Sequence, residues 1–162
     1  MSKNLPIRPR SIVPNQAGRF LLVVSEFNSE FTQPMMKQAS DTIHGLVPQS
    51  IVESVLVPGA YEIPLAVKLG ANTHRYAAII ALGVILRGET AHADLVGRAV
   101  TDALLRLSLE YTVPVLHEVL LLDTEEQARA RCSEGELNRG AEAARAAIEM
   151  VKIVAAFAAP SR

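Results

Sequence analysis

Short apolar runs alternate along this chain with stretches whose apolar residues recur at helical spacing. Residues 19–25 (R-F-L-L-V-V-S) form an almost continuous apolar run, which fits a strand buried on both faces of a parallel sheet. Residues 51–57 are a second strand. Residues 76–86 (Y-A-A-I-I-A-L-G-V-I-L) are the strongest strand signal, and 113–122 a fourth. After the first run, Asn28 or Ser29 can cap a helix with an apolar side at Phe31, Met35, Ala39, Thr42, Ile43 and Leu46. Pro58-Gly59 breaks the second strand, and residues 64–70 read as a short helix with Pro64 in its first turn. Residues 92–110 are a helix with Leu95, Ala99, Ala103, Leu104 and Leu107 inward. Asp123 or Thr124 caps another, running to about Arg131. A turn at 133–136 leads to an alanine-rich final helix over 138–157.

Strands alternating with helices predict the α/β class, with a parallel sheet covered on both faces. Right-handed crossovers leave few topologies. A flavodoxin-like three-layer αβα sandwich with a four-stranded parallel sheet is the expectation. Residues 1–18 carry Pro6, Pro9 and Pro14, which remove donors and fix φ; they read as an extended N-terminal arm before one domain over 19–162.

Composition narrows the function. The chain has 162 residues with 16 basic and 17 acidic side chains, a formal net charge of −1 at pH 7. Such balance gives no long-range field to attract nucleic acid or an anionic membrane, so an anionic ligand needs a local cluster of donors. The only cysteine is Cys132, which excludes an intrachain disulfide or a multi-cysteine metal site. The four histidines show no metal-ligand spacing, so no metal is expected. No apolar run approaches the roughly 20 residues that span a bilayer, and no secretory signal is evident. A cytoplasmic protein is the simplest reading.

In an open parallel sheet, ligands bind beyond the carboxyl ends of the strands. Those positions hold 26–28 (E-F-N), 58–62 (P-G-A-Y-E), 87–92 (R-G-E-T-A-H) and Asp123-Thr124. Phe27 and Tyr61 could stack on a flat heterocycle or simply cover the core edge. The turn Arg87-Gly88-Glu89-Thr90 offers backbone donors, a hydroxyl and a helix start to an anion, although a tight turn with a solvated arginine fits as well. It has neither P-loop nor dinucleotide spacing. His92, at that helix start, can exchange protons near neutral pH, with Asp94 near enough to orient it or to favour the helix start. His44 and His74 fall at element ends and read as solvated. His117 inside a strand reads as structural. Arg131, Asn138, Arg139 and Gly140 surround the last turn, as solvated surface or, for Arg131, as a grip on phosphate.

Over about 19–154 the chain resembles the 6,7-dimethyl-8-ribityllumazine synthase family. The matching stretches are F-N (27–28), V-P-G-A-Y-E-I-P (57–64), R-G-E-T-A-H-A-D-L-V (87–96), D-T-E-E-Q-A-R-A-R (123–131) and N-R-G-A-E-A-A-R-A-A-I-E-M (138–150). The resemblance implies condensation of 5-amino-6-(D-ribitylamino)uracil with 3,4-dihydroxy-2-butanone 4-phosphate, without a cofactor: an imine forms, phosphate leaves, the ring closes and water is lost. It implies that Phe27 stacks on the pyrimidine and that Ala60, Tyr61 and Glu62 bind it with its ribityl chain. Val84, Ile85 and Leu86 match backbone contacts, Glu89 and Thr90 the phosphate turn, and His92 the proton carrier. Arg131 matches a phosphate-binding arginine, and Arg139 stands where a lysine is usual. It further implies a pentamer with sites between subunits. Riboflavin synthase is a further expected partner, and the short last turn favours a 60-subunit shell.

The chain also departs from the family pattern. His117 stands where an aromatic residue closes the site from the neighbouring subunit. Glu118 replaces a common glycine, Leu121-Leu122 a Thr-Thr pair, Ala93 an aromatic, and Arg98-Ala99 an Asn-Glu pair. These changes motivate an alternative reading, a non-catalytic lumazine- or flavin-binding or shell-forming paralogue. A flavodoxin-like signalling domain is disfavoured, because Ser25-Glu26-Phe27 stands where a phosphoacceptor site needs an acidic cluster.

Overall fold

The computed structural model describes residues 18–133, 135 and 137–158; the arm expected over 1–18 lies, but for Gly18, outside the described residues. The strands are β1 (Arg19–Ser25), β2 (Ile51–Val57), β3 (Ala78–Leu86) and β4 (Val115–Leu122). The helices are α1 (Ser29–Leu46), α2 (Ile63–Asn72), α3 (His92–Tyr111), α4 (Glu125–Cys132) and α5 (Arg139–Ala158). A single 3-10 turn, Ala60–Glu62, precedes α2. The strands form one parallel sheet in the order β2-β1-β3-β4.

Side chains that alternate along β1 and β3 feed two separate cores. Phe20, Leu22, Val24, Ile80 and Leu82 pack against α1, α4 and α5. Leu21, Val23, Ile79 and Ala81 pack against α2 and α3. Two-sided burial explains why these strands read as continuous apolar runs. The result is the flavodoxin-like three-layer αβα sandwich that the alternation predicts. β2 lies at the edge and is mostly exposed. β3 and β4 each begin two residues later than their apolar runs, at Ala78 and Val115.

Three expectations about burial are corrected. Leu46, at the end of α1, is exposed. On α3, Leu95 and Ala99 are exposed, and the core stripe is Ala93, Val100, Leu104 and Leu107. Asn138 and Gly140 are not solvated surface: both are buried. Asn138 Nδ2 donates to the carbonyls of Cys132 (2.7 Å) and Ser133 (2.8 Å). Its Oδ1 accepts from the N–H groups of Gly140 (2.8 Å) and Ala141 (3.3 Å), capping α5.

Gly140 allows α5 to touch the backbone of α1. A Cβ there would stand 2.0 Å from the Met35 carbonyl oxygen and 2.8 Å from its Cα, with no flexible side chain to yield. Gly140→Ala therefore forces the two helices apart. Chemical denaturation should show a loss of about 3 kcal/mol or more, at the upper end of overpacking costs; a loss below about 0.5 kcal/mol would contradict this contact.

Candidate active site

The chain leaving β1 keeps pairing with the chain leaving β2. Glu26 N–H donates to the Val57 carbonyl (2.8 Å) and Phe27 N–H to the Pro58 carbonyl (3.0 Å). Asn28 then turns the backbone into α1 from a left-handed conformation, φ 59° and ψ 42°, which asparagine tolerates better than most residues. It occupies the N-cap position, yet its side chain does not cap the helix as expected. Its Nδ2 instead donates to the Val84 carbonyl at 2.7 Å, tying the end of β1 to β3. The buried Thr32 hydroxyl donates to the Ser25 carbonyl at 2.8 Å and fixes the same corner from α1. Phe27 is thus held firmly by its backbone while its ring stays 72% exposed.

Two further segments face this corner. Gly59 is extended and leads into the Ala60–Glu62 turn, where Tyr61 is also largely exposed. Beyond β3, the Thr90 hydroxyl accepts from His92 N–H at 3.4 Å at the start of α3. His92, Leu95, Val96 and Ala99 recur at helical spacing on one face of α3. That face lines the site, which is why Leu95 and Ala99 are apolar without being core.

Together these elements enclose an open cleft of about 1010 Å³ at the carboxyl edge of the sheet. Phe27, Ala60, Tyr61, Glu62, Val84, Ile85, Leu86, Thr90 and His92 all line it. Glu89, on the same turn as Thr90, is not among the lining residues. The wall is mainly apolar, with exposed rings and few polar groups, the usual make-up of a small-molecule site.

Of the two roles open to Asp94 the structure shows the helix start: it stands in the first turn of α3, and its Oδ1 pairs with Arg87 at 3.1 Å. Arg87 also pairs with Asp123 at 3.2 Å, so this cation braces the turn against α3 and the end of β4. Thr124, not Asp123, caps α4, accepting from Gln127 N–H at 3.2 Å.

His117, Arg131 and Arg139 lie outside the cleft of their own chain. His117 hydrogen-bonds the Thr101 hydroxyl at 2.8 Å on the α3 side of β4. Arg131 donates to the Gln127 carbonyl at 3.2 Å. Arg139 donates to both oxygens of Glu118, from Nε at 3.0 Å and from the guanidinium NH2 at 3.2 Å, and pairs with Glu142 at 2.8 Å. Glu118 is 8% exposed. Burial outweighs the neighbouring guanidinium and pushes its carboxyl up to about 7. Burial likewise pushes the Cys132 thiol up to about 11, which keeps it protonated and unsuited to nucleophilic work. Among the described residues no cluster of three or more His, Cys, Asp and Glu is placed to hold a metal ion. None of their helices is long and apolar enough to cross a membrane.

Sequence patterning missed the Asn28–Val84 bond and the burial of Glu118. Neither has a periodic signal, although the His117-Glu118 pair inside a strand of Val and Leu is a visible irregularity. Asn28→Asp keeps the tolerance for a left-handed backbone but cannot donate to Val84. It should cost about 1–3 kcal/mol in denaturant midpoint experiments, as for a buried carbonyl left unpaired; wild-type stability would contradict the tie.

The model of the 6,7-dimethyl-8-ribityllumazine synthase family matches residues 17–155, which span every strand and helix of the sheet-and-cleft architecture except the last residues of α5. The chain therefore belongs to the 6,7-dimethyl-8-ribityllumazine synthase family, a transferase family of riboflavin biosynthesis.

Proposed function

We propose that this chain catalyses the family's reaction, condensing 5-amino-6-(D-ribitylamino)uracil with 3,4-dihydroxy-2-butanone 4-phosphate to 6,7-dimethyl-8-ribityllumazine, phosphate and water. The observation that carries the reading is the shared cleft. Phe27, the 60–62 loop, 84–86 and His92 come from four separate segments and line one space at the strand ends. In this reading the pyrimidine lies against Phe27, with its ring and ribityl polar groups met by the 60–62 loop and by backbone of 84–86. Glu89 and Thr90 form the turn that receives the butanone phosphate. His92 moves protons as the imine forms and phosphate departs. Holding two substrates in register is itself a large effect, roughly 7–11 kcal/mol in favourable cases.

Arg131, Arg139 and His117 serve the cleft of an adjoining copy in this reading, with the two arginines holding the phosphate. Exposed apolar side chains on α2 and α3 outside the cleft support such an arrangement: Leu65, Leu69, Leu105 and Leu109 are each more than 60% exposed. A pentamer is the assembly proposed. Light scattering of purified protein measures it.

Mixing both substrates and following lumazine fluorescence tests the activity. His92→Ala should slow turnover by about 10²–10⁴-fold, the usual worth of general acid–base assistance, with an unchanged circular dichroism spectrum. An unaltered rate would remove His92 from the mechanism. Arg131→Ala should raise KM for the phosphorylated substrate by about tenfold or more, as a charge-assisted bond is lost, and affect the pyrimidine little. Equal losses for both substrates would contradict the phosphate role.

A further inference from the structure

The pairing around Arg139 departs from a simple anion grip. One guanidinium faces two carboxylates, Glu118 at 3.0 and 3.2 Å and Glu142 at 2.8 Å. With all three ionised the cluster carries excess negative charge, which repels an arriving anion. The Arg139 side chain is 36% exposed, so part of its fork of five donors remains open to solvent. Glu118 is the inward member of the trio, on the face of β4 that packs against α4 and α5. We propose that Glu118 is a proton-coupled competitor for Arg139, which can serve a phosphate group only as Glu118 takes up a proton from solvent. The inference rests on the reading of Arg139 as a phosphate contact.

The surroundings of Glu118 favour proton uptake over any other relief. Its partner across β3 is Leu82. From α5 it meets Arg139 and the like charge of Glu142, and from α4 the protonated Cys132 thiol, with Arg131 beside that thiol. The preceding residue on β4, His117, points to the opposite face and bonds Thr101. Among the described residues no second cation acts on Glu118 if Arg139 turns its charge to a ligand. An ionised carboxylate buried without a partner is costly, so it neutralises. The carboxyl already titrates at about 7 with Arg139 attached, and engaging Arg139 elsewhere raises it further. The bound state therefore holds more protons than the free state above about pH 7. By linkage, anion affinity falls as pH rises through that window, by up to about tenfold per pH unit.

Inorganic sulfate is a suitable probe, because its charge is constant from about pH 6 to about pH 9. Calorimetric titration of the full chain, in buffers of different ionisation enthalpy, should show uptake approaching one proton per sulfate above about pH 7. Affinity should drop with pH over the same range. Glu118→Gln keeps the shape and removes the charge; it should bind sulfate more tightly at the alkaline end, with a flat pH profile and no Glu118-linked uptake. Arg139→Gln should lose sulfate binding throughout. If the wild type takes up no proton, or if Glu118→Gln keeps the same slope while Arg139→Gln loses binding, the coupling is wrong and the phosphate role of Arg139 survives. If the wild type does not bind sulfate, or Arg139→Gln binds it as the wild type does, the phosphate role itself falls and takes the coupling with it.

Discussion

Burial of β1 and β3 on both faces dictates where a ligand can sit. Each of these strands must send its following helix to cover one core, and the two helices go to opposite sides: α1 to the layer it shares with α5, α3 to the layer it shares with α2. Neighbouring strands whose chains depart in opposite directions leave a gap at their carboxyl ends, the switch point of an open parallel sheet. The Asn28–Val84 hydrogen bond spans this gap at its root, so the gap keeps its floor while its walls stay open. Phe27 and His92 stand on those walls because they are among the first residues after β1 and β3. The cleft is thus a product of layer packing, and its chemistry depends on which residues happen to follow each strand.

The strands and layers were legible because two-sided burial writes itself as unbroken apolar runs. Most of the cleft residues were legible for a related reason: position after a strand is a one-dimensional property, and Phe27, Tyr61 and His92 occupy such positions. Leu95 and Ala99 misled because periodicity reports an apolar face without saying what covers it. A helix can have one apolar stripe for the core and another for a cleft or a partner. Asn138 misled for the opposite reason, since polar residues near a turn usually face water, whereas this amide is buried against four backbone groups. Apart from Glu142, three residues along α5 from Arg139, the partners of Arg87 and Arg139 needed three dimensions. Asp94, Asp123 and Glu118 are brought to them by the crossing of α3, β4 and α5, and no local spacing encodes that.

The apolar cleft lies apart from three polar side chains that line no part of it. His117, Arg131 and Arg139 belong to β4, α4 and the start of α5, on the far side of the sheet order from β2. In the proposed reading, assembly supplies the missing charge to each cleft, and catalysis is a property of the interface. In the same reading Glu118 adds to that interface what a glycine would not, an ionisable group beside the arginine.

The buried amide of Asn138 has a consequence for how the terminal third of this protein can vary. It joins the last carbonyls of α4 to the first N–H groups of α5, and Arg131 and Arg139 project from the two helix ends it joins. One side chain thereby ties the end of one helix to the start of the next. Loss of the asparagine would release both helix ends at once, and with them the backbone that carries the two arginines.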